Sequence, residues 1–322
     1  MEIIAEIAGA HEGDINLMKK IIDDVHGTGN KIVKFQIFRA DELVTKNHPK
    51  HQGFKQKEYS PAEWEEIGKH ATMLGLQIYT DVFDMESVNI AVSIGAKKLK
   101  VHSTNLSDPF MLEKVARTKL PIILGIGGSN DSEIHEAIST LNKHDCGPLS
   151  LITGFQSFPT KLEDSNLNHI RYLQKKYHLP VGYADHCDAD SDMSQILPLL
   201  AVAKGANFIE KHITYDRSVK GTDYYSSLNP SEFKTMIKNL NDTLSTFDKT
   251  SDKEVNYRNN MKKFIVARHD IKEGQTISIE DIIFKRTIEP GLLPKEYQKL
   301  IGLKAKTYIK KDELITKEVC IQ

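Results

Sequence analysis

Residues 121–153, PIILGIGGSNDSEIHEAISTLNKHDCGPLSLIT, contain one whole strand–helix–strand unit. PIILGI (121–126) is a short apolar run, and Gly125-Ile126-Gly127-Gly128-Ser129 turns the chain. From about Asn130 onward, Ile134, Ala137, Ile138 and Leu141 recur at helical spacing, and LSLIT (149–153) starts the next apolar run. Runs that are apolar throughout, rather than alternating, suit strands covered on both faces, as in a parallel sheet sheathed by helices.

The unit repeats in both directions. Upstream lie EIIAEIA (2–8), KIVKFQIF (31–38), LQIYT (76–80) and KKLKVH (97–102); downstream lie PVGYA (180–184) and NFIEKHI (207–213), eight runs in all. Ser60-Pro61-Ala62-Glu63 has capping-box spacing with Pro at the first helical position, and Trp64, Ile67, Ala71 and Leu74 then share a face. Phe233, Met236, Ile237, Leu240 and Leu244 do the same after Asn229-Pro230-Ser231. Gly29, Gly75, Gly95 and Gly205 each fall shortly before a strand, where a helix C-cap belongs. Eight such units in about 250 residues predict an α/β fold of the (β/α)₈ TIM-barrel type. The rival, a doubly wound open sheet, lacks the GxGxxG expected after its first strand.

The barrel is expected over 1–247. DKTSDKEVNYRNNMKK (248–263) is polar and charged, and 248–260 reads as a linker. Residues 261–322 have short apolar runs broken by Lys-Glu-Gly, Glu-Pro-Gly and Lys-Lys-Asp-Glu, the texture of a small β-rich domain. A core of about 60 residues is marginal alone, which predicts that this domain docks on something.

Composition narrows the partners. The 322 residues carry 43 Lys+Arg against 44 Asp+Glu, a net charge of -1. That balance argues against a broad nucleic-acid footprint. No apolar run approaches the ~18 residues of a membrane span. MEIIAEIAGAHEGD is acidic and soon polar, unlike a secretory signal. Cys146, Cys187 and Cys320 are odd in number and far apart, so no disulfide framework or CxxC knuckle is expected, and the reading is cytoplasmic.

Barrel chemistry sits at the C-terminal ends of the strands, and polar residues gather there. The first run leads into His11-Glu12-Gly13-Asp14, the second holds Lys34 and Gln36, and the fourth holds Lys100 before His102-Ser103-Thr104-Asn105. The sixth leads to Gln156, the seventh into Asp185-His186, and the eighth holds Glu210, Lys211 and His212 before Gly221-Thr222-Asp223. A lone strand lysine can snorkel to the rim, and a lone rim histidine is more often a hydrogen-bonding residue than a ligand. His186 and His212 end adjacent strands, where two imidazoles can form an open site completed by water or substrate for Mn²⁺, Fe²⁺ or Zn²⁺. The glycine-rich turn at Gly127-Gly128 can offer backbone N–H groups to a phosphate, with Lys34 and Lys100 supplying charge.

The chain resembles the sialic acid synthase family, enzymes that condense phosphoenolpyruvate (PEP) with an N-acylated hexosamine to make nonulosonic acids. AEIAGAHEGD (5–14) is similar to the family's AEIG-N-H-x-G, VKFQ (33–36) to V-K-x-Q, and VGYADHC (181–187) to G-x-S-D-H-T. FIEKHITYDRSVKGTDYYSSLNP (208–230) is similar to I-E-K-H-F-T-x-D…G-x-D-x-x-x-S-x-x-P, and ARHDIKEGQTISIEDIIFKR (267–286) to the family's C-terminal antifreeze-like (β-clip, SAF) domain. The resemblance implies a divalent cofactor, Mn²⁺ ahead of Mg²⁺ or Co²⁺, on His186 and His212. It implies catalytic roles for Glu12, Lys34 and Lys100. Ser103, beside those lysines, and Gln36 are implied to be near PEP, and Asp223 at the sugar acceptor. Asn105, Gly127, Gly128, Gln156 and Asp185 occupy motif positions expected to bind substrate. Arg286 is implied to reach the acceptor's N-acyl group from the other subunit of a domain-swapped homodimer. The sequence departs from the pattern at Ala10, Asn105, Gly125–Gly128, 79–84, Gln156–Phe158 and Ala184, changes that bear mainly on which acceptor fits. Two other readings of the barrel remain open: an aldolase forming a Schiff base on Lys34, Lys100 or Lys211, and a sugar-binding barrel without turnover.

Overall fold

Eight parallel strands close into a barrel in chain order: β1 (Glu2–Glu6), β2 (Ile32–Ile37), β3 (Gln77–Val82), β4 (Lys98–Val101), β5 (Ile122–Gly125), β6 (Leu149–Thr153), β7 (Val181–Asp185) and β8 (Phe208–His212). β8 pairs back on β1, with Glu6 opposite His212. The computed structural model describes residues 1–155, 159–247 and 252–321, in two units, Met1–Thr246 and Phe247–Gln322.

The helices of the barrel unit are α1 (Ile15–Gly27), α2 (Ala40–Leu43), α3 (His51–Lys57), α4 (Pro61–Met73), α5 (Met85–Ser93), α6 (Pro109–Arg117), α7 (Asp131–Lys143), α8 (Asn168–Tyr177), α9 (Met193–Ala203) and α10 (Pro230–Ser245). Local sequence starts and stops them. The Ser60 hydroxyl accepts from the Glu63 N–H at 3.3 Å while the Glu63 carboxylate accepts from the Ser60 N–H at 2.7 Å, the reciprocal cap that opens α4. Gly75, at φ +75°, turns the chain out of α4 in a left-handed conformation that costs other residues more. Trp64, Ile67 and Ala71 of α4 and Phe233, Met236 and Leu240 of α10 are buried in the layer between strands and helices. Each such Ile, Leu or Phe contributes roughly 1.5–3 kcal/mol by leaving water.

Inside the barrel the period of two along each strand builds layers. Ile4, Ile32, Tyr79, Ile123, Ile152 and Phe208 belong to one buried apolar cluster, together with Ala184. Two residues further along their strands come Glu6, Lys34, Asp81 and Glu210, joined by Lys100 of β4, and all five are buried. Two further again come Gln36, His102 and His212, level with His186 at the end of β7. The barrel is therefore oily below, charged in the middle and imidazole-lined at its C-terminal mouth.

In the second unit β9 (Phe264–Ala267) pairs antiparallel with β10 (Ile282–Lys285), and β11 (Lys304–Ala305) with β12 (Cys320–Ile321). Ile265, Ile271, Ile277, Leu300, Ile309 and Ile315 form its core. The stretch expected as a linker holds a helix, α11 (Asp252–Met261), while 248–251 lie outside the described residues. Among the described residues no helix is long and apolar enough to cross a membrane.

Candidate active site

Lys34 is the centre of the charged layer. Its Nζ contacts a Glu6 carboxylate oxygen, lies 2.7 Å from Asp81 Oδ2 and 3.0 Å from Glu210 Oε2, and has no exposed surface. Lys100 Nζ lies 2.7 Å from Glu210 Oε1 and 3.5 Å from Asp81 Oδ2. Three carboxylates against two ammonium groups leave one negative charge out of water. Burial draws Lys34 below the ordinary lysine range. Burial also works against the charge on Lys100, but Asp81 and Glu210 outweigh it and hold that ammonium above its usual range. Glu210, despite burial, is held far below the carboxylate range by Lys100 and Lys34. Asp81 Oδ1 is buried with no hydrogen-bond donor among the described residues.

His186 and His212 stand above this layer with ring centroids 5.4 Å apart. The Nδ1–H of His186 donates to the Phe155 carbonyl at 3.0 Å, which puts the ring's lone pair on Nε2. Burial pushes His186 down to about 4, and burial together with the His186 ring pushes His212 well below its ordinary value. Both rings are thus neutral at pH 7, the form that ligates metals. A backbone carbonyl holding the far nitrogen is the usual way a ligand imidazole is oriented. Among the described residues no three His, Cys, Asp or Glu side chains stand close enough to hold an ion by themselves. Two neutral imidazoles above a net-negative floor therefore fit a divalent cation in an open site, whose remaining positions fall to water and substrate.

The mouth of the barrel is a cavity of 420 Å³ whose wall includes Lys100, His186, His212, Glu210 and Asp223. A second cavity of 560 Å³ adjoins it along Gln36, Phe38, Lys50, Phe54 and His102, and takes in Ser103, Asn105 and Gly127. Phe38 packs edge-on to Phe54 and Phe83, with centroids 5.6 and 6.2 Å away. β5 lies close to β4 at the floor because residue 125 is glycine: a Cβ there would be 3.0 Å from the Val101 carbonyl and 3.1 Å from the Ser103 nitrogen. Asp223 is raised by its burial and accepts from the Gly9 N–H at 3.4 Å.

Several expected site residues stand elsewhere. Lys34 lines neither cavity, its charge already matched by the carboxylates around it. Glu12 is absent from both cavity walls; it accepts from the Thr222 N–H and pairs with Lys57 at 3.1 Å, joining the loops after β1 and β8 to the end of α3. Asp185 faces away from the barrel axis, buried against Lys211 at 2.7 Å, because it is one residue out of phase with His186. Gly128 turns the chain at φ +76° without lining either cavity. Arg286 belongs to the second unit, exposed and one residue past β10. Gln156 lies outside the described residues. The sequence reading gave no role to Glu6, Asp81, Glu210 or His102. Their common signal is strand phase, since each is an even number of residues from an interior position.

Comparison with known proteins matches residues 21–251 to a family model described as the NeuB family and residues 262–318 to the SAF domain. The chain is 32% identical over 322 residues to the N,N'-diacetyllegionaminic acid synthase of Legionella pneumophila, covering 93% of this chain and 89% of that one. It is 27% identical over 330 residues to the pseudaminic acid synthase of Helicobacter pylori, covering 96% and 94%. Among solved structures, the N-acetylneuraminic acid (sialic acid) synthetase of Leptospira borgpetersenii superposes with a TM-score of 0.73 at 30% identity, over 80% of this chain and 91% of that one.

Proposed function

The chain belongs to the NeuB family and carries a SAF domain, and from that premise we propose that it condenses PEP with an N-acylated hexosamine or a related aldose to give a nonulosonic acid and phosphate. The observation that carries the reading is the pairing, in one cavity, of two neutral imidazoles 5.4 Å apart with a buried layer one charge negative. A divalent ion held by His186 and His212, with Mn²⁺ first and Mg²⁺ or Co²⁺ as substitutes, supplies Lewis-acid polarisation of a carbonyl oxygen.

This chain's own side chains divide the remaining work. Asp223 and Thr222, on the loop after β8, face the hydroxyl-bearing acceptor. Lys100, kept protonated by its carboxylates, faces the anionic substrate. In the reaction, PEP C3 joins the aldehyde carbon, water adds at C2, and the C2–O bond to phosphate breaks. One proton of that water ends on the new hydroxyl and the other leaves with phosphate. Arg286 would serve the acceptor's acyl group from the second subunit of a homodimer. The Schiff-base alternative needs a neutral amine that reaches a substrate carbonyl, whereas Lys211 is bound to Asp185 and Lys34 sits among three carboxylates, neither of them on a cavity wall, and Lys100 is held above its ordinary range.

The test is phosphate release from PEP with a panel of N-acylated hexosamines and their 6-phosphates, with Mn²⁺ and with EDTA. Release that needs both a sugar and the metal is expected. No release with any acceptor refutes the reading.

A further inference from the structure

His102 stands where the two cavities meet, and the reaction as derived leaves it without a role. It follows Lys100 by two residues, so both side chains project to the inside of the barrel. Its Nδ1 accepts from the Thr104 backbone N–H at 3.3 Å and lies 3.0 Å from the Thr104 hydroxyl. A backbone N–H can only donate, so the ring proton sits on Nε2. With Nδ1 turned back onto its own turn, Nε2 is the ring nitrogen at the cavity wall. The ring lies against Phe83, with centroids 5.1 Å apart and planes inclined at 34°, which fixes its orientation. Burial pushes its pKa down to about 4, so the ring is a neutral N–H donor at pH 7.

The polarity of the cavity says what it donates to. Carboxylates collect on the side of β8, β1 and β3, from Glu210, Asp223, Glu6 and Asp81. Donors collect at the ends of β4 and β5, from the Lys100 ammonium, the His102 imidazole, the Ser103 hydroxyl and the backbone at Gly127, and Lys50 and Lys57 add two ammonium groups at α3. Glu42, the carboxylate on the wall of the second cavity, is exposed and lies 3.7 Å from Arg39. A sugar's hydroxyls suit the first side and an enol phosphate's oxygens the second.

We propose that His102 is a catalytic residue whose Nε2–H donates a hydrogen bond to an anionic oxygen of the enol phosphate, bound over Lys100 at the ends of β4 and β5. The inference rests on the PEP-dependent reading and adds to it a contact. No proton is transferred. The bond strengthens as charge gathers on the departing phosphate, and the neutral ring makes it without adding a full cation beside Lys100.

Three variants separate hydrogen bonding from packing. His102→Phe keeps a ring against Phe83 and removes the donor, His102→Ala removes both, and His102→Gln restores a side-chain N–H. The Phe and Ala variants are expected to raise the KM for PEP about 10- to 100-fold, the usual effect of losing one hydrogen bond to a charged group. They should leave the acceptor KM within about twofold, and the Gln variant should recover most of the loss. A PEP KM in His102→Phe within about twofold of wild type, or equal shifts in both KM values, overturns the proposal. If wild-type protein releases no phosphate from PEP with any acceptor, the functional reading and this inference fail together. If wild type turns over and His102→Phe matches it, this inference alone fails.

Discussion

Lys34→Met tests the charged layer directly. The substitution keeps much of the stem's volume, so little of its effect comes from a cavity. What it removes is the ammonium that touches Glu6, Asp81 and Glu210, leaving three buried carboxylates with Lys100 alone. Breaking a buried ion pair by deleting one partner costs about 3–5 kcal/mol, because the remaining charge stays out of water. Asp81→Asn in the same protein removes one of the three carboxylates and brings the layer back to a single excess negative charge. The double variant should therefore be more stable than Lys34→Met, with a coupling of about 2–3 kcal/mol between the two sites. Urea titration followed by tryptophan emission reads the right unit. Trp64 is the one tryptophan of the chain, 2% exposed in the barrel unit and 5.3 Å from the Tyr59 ring. A loss under about 1 kcal/mol for Lys34→Met, or additive effects to within about 0.5 kcal/mol, would show that the three carboxylates do not depend on this lysine.

His186→Ala and His212→Ala should each leave the urea midpoint close to wild type and abolish Mn²⁺-dependent phosphate release; full activity in the double variant removes the metal assignment. Arg286→Ala should raise the acceptor KM more than the PEP KM, and equal effects argue against an acyl contact from the small domain. His11 sets a pH dependence: burial holds it neutral in the fold down to about 4, against an ordinary value of 6.5. The unfolded chain takes up that proton first, so stability falls as pH drops from 6.5 towards 4 and levels off below, by up to about 3 kcal/mol for this ring. Urea midpoints across that range should fall less steeply in His11→Gln; an unchanged slope refutes the assignment.

The barrel was legible because its signals are local and redundant. Six of the eight apolar runs contain the whole strand they implied, as PIILGI contains Ile122–Gly125 and NFIEKHI contains Phe208–His212, while β3 and β7 run on past the ends of LQIYT and PVGYA. The cap at Ser60 opens α4 as its spacing required, and α7 starts next to Asn130 where the helical periodicity placed it. α3 was not legible, although it brings Gly53, Phe54 and Lys57 to the cavity wall. Its sequence HQGFKQK buries no residue, so it has no apolar stripe to announce it. α11 escaped for the same reason: DKEVNYRNNM is polar on every side, and polar composition alone reads as linker.

The site was legible to the level of neighbourhood, and strand phase decided the rest. His186 and Asp185 are adjacent in the motif, yet a one-residue step along a strand reverses the face. Asp185 therefore joins Lys211 under the helices while His186 meets His212 across the mouth. The opening motif misled in a similar way. Glu12 sits beside His11 in the sequence, but it lies past the end of β1, where the chain has already turned outward at φ +51°. The carboxylate of that motif that reaches the cavity is Glu6, two residues beyond the interior Ile4. A buried lysine supplies the phase that composition cannot. Once Lys34 is placed inside, its charge demands carboxylates at the same height on neighbouring strands, and the register offers Glu6 opposite it on β1 and Asp81, one level above Thr80 and Phe35, on β3. Glu210 then follows from Ile4, its partner on β1, two residues below Glu6. Electrostatic necessity thus identifies the three residues that motif adjacency missed, and it makes the charge balance of that layer the property on which both fold and chemistry rest.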